Sequence, residues 1–341
     1  GRSAEELGLW EEALADYDAA IERNPGMAKA YGKRGRTYLA LALYPEALAS
    51  YEESIRLNAA DVQSHSGFGL TSQILGNNEA AVDAFSTAIH LDPGQTQVYY
   101  HRGNAYYALD RFEEALRDFN EVLRRNPEDY ATYRDRGRTN FVLNRYENAL
   151  ADYNMALSFN SDDALVYSGR AAVYLRLNQD LQAISDYNEA IRLDPEDAQS
   201  YLGRGLAFEA VEDYSHALAD FNETIQIDPS SASAFANRGR LYGAQNRLPE
   251  GLEDFDEAIR LDPQYAAAIA DRGEVYHALD RIPEAVADYD KAIRLAPEDA
   301  QTHIRRGDAN IDLERIEEAK DDYTEAIRLD PSNGRAYASL G

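Results

Sequence analysis

The chain has 341 residues, with 61 Asp and Glu against 34 Lys and Arg and a formal net charge of −27. Such a balance excludes the broad basic surface that nucleic acid requires and weighs against docking on anionic membranes; no apolar run approaches the ~20 residues of a membrane span. Cys is absent, which excludes disulfides, Cys-ligated metal and thiol nucleophiles.

The chain opens inside a repeating unit. Residues 1–27 carry Ala13, Tyr17 and Pro25, and each opens a column with a 34-residue step; the small column is Ala throughout except for Gly251. The Pro column continues at Pro93, Pro127, Pro195, Pro229, Pro263, Pro297 and Pro331, with Ala59 and Ser161 in the gaps. The aromatic column runs Tyr51, Phe85, Phe119, Tyr153, Tyr187, Phe221, Phe255, Tyr289 and Tyr323. A Gly column runs Gly35, Gly69, Gly103, Gly137, Gly205, Gly239, Gly273 and Gly307, with Ala171 in the one gap. A constant period over the whole chain predicts a solenoid whose units pack on their neighbours.

Each unit reads as two helices. In 96–129, Tyr99, Gly103 and Tyr106 share one face of a first helix, and a short turn at Asp110 and Arg111 follows. Ala115, Phe119, Val122 and Leu123 form the apolar stripe of a second helix, which Asn126-Pro127 stops. Two residues after the Pro column stand Asp61, Asp129, Asp163, Asp197, Ser231, Asp299 and Asn333, side chains able to cap the next helix. Gly103 and Ala115 leave room for close helix approach, and the aromatic column fills the space between units; truncating one such ring to Ala should cost ~3–5 kcal/mol.

These columns resemble the tetratricopeptide repeat, a 34-residue helix–turn–helix unit. One unit supplies the pattern as Tyr99, Gly103, Tyr106, Ala115, Phe119, Val122 and Pro127. The resemblance implies an all-α, right-handed α-solenoid superhelix, with first helices on the concave face and second helices on the convex face. The expected layout is a partial repeat at 1–27, nine complete repeats at 28–333 and the start of another at 334–341, as one continuous solenoid.

One column departs from the family pattern. Where an apolar residue usually precedes the Gly, this chain has Arg34, Arg102, Arg136, Arg170, Arg204, Arg238, Arg272 and Arg306, broken by Phe68. The second helices carry Asp16, Asp118, Asp152, Asp186, Asp220, Asp254, Asp288 and Asp322, broken by Ser50 and Ala84. Opposite charges at constant spacing predict a ladder of charge-assisted hydrogen bonds. The breaks fit pairing within a unit and pairing to the preceding unit equally well.

The chemistry of an enzyme is not visible. The six His show no i, i+4 metal spacing, and His65 and His303 share a column with Tyr99 and Tyr133, which marks them as core. The acidic turn Pro195-Glu196-Asp197 lacks the 12-residue calcium loop, and no carboxylate pair stands out as catalytic. No cofactor or metal is expected. Asn222-Glu223-Thr224 matches a glycosylation sequon but falls within a predicted helix.

An interaction site should therefore lie on the concave face. The first-helix positions not used by the core are Lys29, Lys33 and Arg36 in the unit at 28–61, Tyr100, Asn104 and Tyr107 in the unit at 96–129, and Arg134, Arg138 and Phe141 in the unit at 130–163. Aromatic and Arg side chains of this kind anchor interfaces, here to an extended peptide or helix of a protein partner. The later equivalents Gly203, Ala236, Gly243, Ala244, Ala270 and Ala278 are small and less promising. The Lys that chaperone-tail clamps of the family use is replaced by Gly32, Ser66, Tyr100, Arg134 and their successors, so that clamp is not expected. A second reading is structural: Leu7, Leu9 and Trp10 near one end and Tyr337 and Leu340 near the other would stack copies head to tail into a fibre, or continue a longer array. A third is a regulatory portion of a larger enzyme.

Overall fold

The computed structural model describes residues 9–340, and among them twenty helices and no strand. The chain divides into two compact units, residues 1–173 and 174–341. Unit 1 begins with α1 (Trp10–Arg23). Four helix pairs follow: α2 (Ala28–Ala40) with α3 (Tyr44–Leu57), α4 (Val62–Ile74) with α5 (Asn78–Leu91), α6 (Thr96–Ala108) with α7 (Phe112–Arg125), and α8 (Tyr130–Val142) with α9 (Tyr146–Phe159). The division falls within α10 (Ala164–Arg176). Unit 2 holds α11 (Asp180–Leu193) and the pairs α12 (Ala198–Ala210) with α13 (Tyr214–Ile227), α14 (Ala232–Ala244) with α15 (Leu248–Leu261), α16 (Ala266–Ala278) with α17 (Ile282–Leu295), and α18 (Ala300–Asp312) with α19 (Ile316–Leu329), then α20 (Gly334–Leu340). Within each unit a helix packs on its own partner and on the next pair, and successive first helices touch, as α6 does α8 and α14 does α16.

The turn inside each pair is the same every time. Ala42, Gly76, Asp110 and Asn144 in unit 1, and Asn178, Glu212, Asn246, Asp280 and Glu314 in unit 2, take positive φ. Each left-handed residue lets the following N–H reach back five residues to the first helix, as Arg111 N does to Tyr106 O at 2.9 Å and Arg281 N to Tyr276 O at 2.9 Å. The residue before the N–H donor also bonds back, Asp110 N to Tyr107 O at 3.1 Å. This double closure satisfies carbonyls that the helix end would orphan. Asn, Asp and Gly suit the position; Ala42, Glu212 and Glu314 occupy it against their steric preference.

Second helices end differently. The residue before the Pro column turns its side chain onto the loop: Asp92 Oδ1 accepts from Gly94 N at 2.9 Å and Asp194 Oδ1 from Glu196 N at 3.2 Å. The predicted caps two residues after Pro accept backbone N–H groups at Asp129, Asp163, Asp197, Ser231, Asp299 and Asn333. Asp61 makes no side-chain cap bond to the backbone; its carboxylate instead accepts from Ser64 Oγ at 2.7 Å and Ser54 Oγ at 3.2 Å.

The core is built on the aromatic column. Phe85, Phe119, Phe221, Phe255 and Tyr289 are essentially inaccessible to solvent. Each ring lies against the Gly of its own repeat: a Cβ on Gly103 would sit 2.8 Å from Phe119, on Gly205 2.6 Å from Phe221, and on Gly273 2.8 Å from Tyr289. These glycines are thus required by the ring as much as by backbone approach. Where the column is Tyr51, Tyr153 or Tyr187, the ring end and hydroxyl continue to the next repeat and meet Gly67, Gly169 or Gly203. Where it is Phe85, Phe119, Phe221 or Phe255, the matching residue is His101, Asp135, Asn237 or Asp271. At the Tyr51, Tyr153 and Tyr187 joints a hydroxyl is added where a side chain is deleted, so volume is conserved there; Tyr17, Tyr289 and Tyr323 are instead followed in the same register by Lys33, Arg305 and Ser339.

Candidate interaction site

The Arg column works as a three-armed staple. In unit 1, Arg102 Nε and Nη2 donate to Asp118 at 2.8 Å each, within one repeat, and Nη1 donates to Ser86 Oγ of the preceding repeat at 3.1 Å. Arg136 makes the same fork to Asp152 and reaches back to Asn120 at 2.7 Å, while Arg170 reaches back to Asn154 at 2.6 Å. In unit 2, Arg204 forks onto Asp220 and reaches Asn188, Arg238 forks onto Asp254 and reaches Asn222, and Arg272 forks onto Asp288 and reaches Asp256. Asp186, like these aspartates, is buried. The column Asp is bonded within the repeat, which decides the pairing that the sequence left open, and the third arm couples the repeat to its predecessor through a different column, at Ser86, Asn120 and Asn154. Flanking rings complete the seat: Arg102 lies 5.7 Å from the Tyr99 centroid and 5.6 Å from Tyr106. A planar fork that stacks and bonds bidentately suits Arg and not Lys. Arg34, lacking an Asp opposite it, bonds Ser50 at 3.2 Å and Asp18 at 2.7 Å; Phe68 and Ala84 lose both partners in one repeat.

The first-helix face of unit 1 brings several expected residues together. Tyr100 Oη donates to Asp135 Oδ2 at 2.7 Å, and Arg134 Nε donates to Asp135 Oδ1 at 3.0 Å. Asn104 lies close enough to the Tyr100 hydroxyl to favour its ionised form slightly. The Arg138 guanidinium sits 4.1 Å above the Tyr107 ring. Asp135, buried beneath them, is the hub, and only the folded arrangement shows it. Burial, and then the Asp135 charge, push the Tyr100 phenol up to about 12. Burial lowers the His101 pKa; that ring stacks on Phe85 at 5.9 Å. Phe141 packs on Tyr146, with ring centroids 6.0 Å apart. Lys29, Lys33 and Arg36 line a cavity of about 450 Å³ whose other walls include Asn58, Asp61 and Ser64.

Unit 2 holds what the sequence passes over. The small residues Gly243, Ala244 and Ala278 leave a cavity of about 300 Å³ over Leu248, Phe255 and Val275. Among the end residues, Leu7 lies outside the described residues; Leu9, Tyr337 and Leu340 are exposed and Trp10 is half-buried. His303 is buried as expected, whereas His65 is half-exposed with Nε2 3.0 Å from Ala59 O. Among the described residues no group of His or acidic side chains is placed to hold a metal, and no helix is long and apolar enough to cross a membrane.

Stacked helix pairs of constant length, joined by one recurring turn, define an α-solenoid of helix–turn–helix repeats. A sequence model of the Tetratricopeptide repeat matches residues 1–62, 100–164 and 237–300, more than half of the chain; a TPR repeat model matches 74–110 and 174–211, and a further Tetratricopeptide repeat model matches 300–333. The chain belongs to the tetratricopeptide repeat family, whose members are in general interaction scaffolds rather than enzymes. No curated protein matches it. Among solved structures, the APC/C hetero-tetramer Cut9–Hcn1 is similar at 15% identity and a TM-score of 0.63, over 96% of this chain and 80% of that one. A tetratricopeptide repeat protein from Parabacteroides merdae is similar at 19% identity and a TM-score of 0.52, over 82% and 97%. At these identities the likeness concerns the fold alone.

Proposed function

We propose that this scaffold captures an extended peptide or a helix of a partner protein on the first-helix face of unit 1, against Tyr100, Asn104, Tyr107, Arg134, Arg138 and Phe141. The observation that carries the reading is the shared hub: Tyr100 and Arg134 both donate to buried Asp135, and Arg138 stacks on Tyr107. Side chains already held in place lose little rotamer freedom on binding, and Tyr and Arg are the residue types that most often dominate interface energy. The cavity beside Lys29, Lys33 and Arg36 offers the same unit a place for acidic partner residues.

The test uses peptides selected on the intact protein from a random phage-displayed library. The variant Tyr107→Ala/Arg134→Ala should lose at least 100-fold in affinity for them while remaining folded by circular dichroism. Unchanged affinity overturns the assignment. Growth of particle mass with protein concentration, measured by light scattering without any peptide, would favour the alternative in which copies of the chain assemble with one another.

A further inference from the structure

The cavity of unit 2 opens between α14, α15 and α16, with Arg305 of α18 at its edge. Its floor is core: Phe255 and Val275 belong to a buried cluster against which Leu248 packs. Its wall is open because of Gly243. A Cβ there would meet nothing nearer than Val275 Cγ2 at 3.8 Å, an ordinary contact. Neighbouring glycines differ: a Cβ on Gly203 would fall 2.3 Å from the Tyr187 ring, and one on Gly205 2.6 Å from Phe221. Gly243 is helical and has no positive φ to excuse it. A helical Gly is less stable than Ala in the same place, so neither packing nor backbone conformation accounts for the residue. Keeping the core floor accessible does.

The rim is charged and organised. Arg240 donates to Glu209 at 3.1 and 2.8 Å, and Arg305 lies 3.0 Å from Asp271 and 2.7 Å from Glu274. Two guanidiniums are thus matched by three carboxylates, on a chain whose net charge is −27. The rim favours an approaching cation and disfavours an approaching carboxylate.

We propose that this cavity is a second peptide-binding site, which takes one apolar side chain of Leu or Phe size from a partner segment flanked by Lys or Arg. Its volume of about 300 Å³ lies at the lower end of ligand-sized pockets. Burial of one such side chain corresponds to an affinity gain of about 10- to 100-fold. The site is separate from the unit 1 face, since every lining residue lies between 240 and 305.

The experiment measures binding of capped nonapeptides by isothermal titration calorimetry. Their central residue is Phe, Leu or Ala, flanked by two Lys on each side, with a parallel series carrying Glu. The Lys series with central Phe or Leu should bind at least tenfold more tightly than the Ala peptide, and the Glu series at least tenfold more weakly than its Lys counterpart. Gly243→Leu fills the cavity from a helix position that accepts a side chain, and should abolish the preference for Phe and Leu without lowering Tm; Ala278→Leu, from the facing helix, should do the same. The proposal is overturned if no peptide exceeds the Ala-centred one, or if both filled variants keep the preference. It is also overturned if Tyr107→Ala/Arg134→Ala removes the binding instead, an outcome that would locate these peptides on unit 1 and leave the reading of that face standing.

Discussion

Tyr107 and Gly243 occupy the same position of the repeat, four periods apart, and they leave two faces in opposite states. In unit 1 the position is filled: Tyr107 carries Arg138 on its ring, and Tyr100 and Arg134 close over Asp135. In unit 2 the equivalents of Tyr100, Tyr107 and Arg134 are Ala236, Gly243 and Ala270, and the Asp271 that matches Asp135 pairs with Arg305 of the next repeat. A face rich in side chains presents them; a face poor in them exposes the layer beneath. An identical backbone unit can therefore offer a protruding surface or a socket, according to one or two residues that the core does not need.

That comparison assumes that the framework is the same in both units, and the largest expected effect tests it. Arg102→Leu in unit 1 and Arg204→Leu in unit 2 should each cost about 3 kcal/mol, because each strands an aspartate that is buried in the fold. Arg34→Leu should cost less than half as much, since its carboxylate partner Asp18 is 48% exposed. Urea unfolding midpoints give all three values; unequal costs for Arg102 and Arg204 would mean that the two frameworks differ.

A smaller effect separates the two kinds of glycine. Gly203→Ala drives a Cβ into the Tyr187 ring and should destabilise by ~1–3 kcal/mol. Gly243→Ala meets no such obstacle and should stabilise by about 1 kcal/mol. Opposite signs in thermal unfolding would confirm that only the first glycine is structural; a loss at both would remove the argument for a maintained socket.

The smallest effect is alkaline. The folded state holds the Tyr100 proton more tightly than the unfolded chain, with a pKa raised to about 12. Its contribution is therefore fully present below pH 10 and is lost as pH rises through the folded value. Between pH 10 and 12 the wild type should lose stability faster than Tyr100→Phe. Identical slopes in stability against pH would show that the hydroxyl–Asp135 contact is absent in solution. The equivalent position in unit 2 is Ala236, so that contact is missing there; the Tyr–Asp contact of unit 2 is made elsewhere, by Tyr323 Oη to Asp308 at 2.8 Å.

The sequence by itself determined the repeat, its helix boundaries to within a residue or two, the aromatic and glycine columns, and the Arg and Asp columns. These follow from local rules: Pro stops a helix, and a 34-residue period repeats one packing problem; that each Arg forks onto the Asp of its own repeat is visible only in the fold. The Gly that stands sixteen residues after Tyr51, Tyr153 and Tyr187 was also present in the letters, although it gains meaning only once the hydroxyl of Tyr187 is seen against Gly203. What tertiary structure decided was the third arm of each Arg, the hub role of Asp135, and the socket beside Gly243. A third arm needs the distance between successive repeats, and a hub needs the directions of three side chains at once. A cavity is a sum over side chains from several helices, and no single column of the repeat records the space left when that sum falls short.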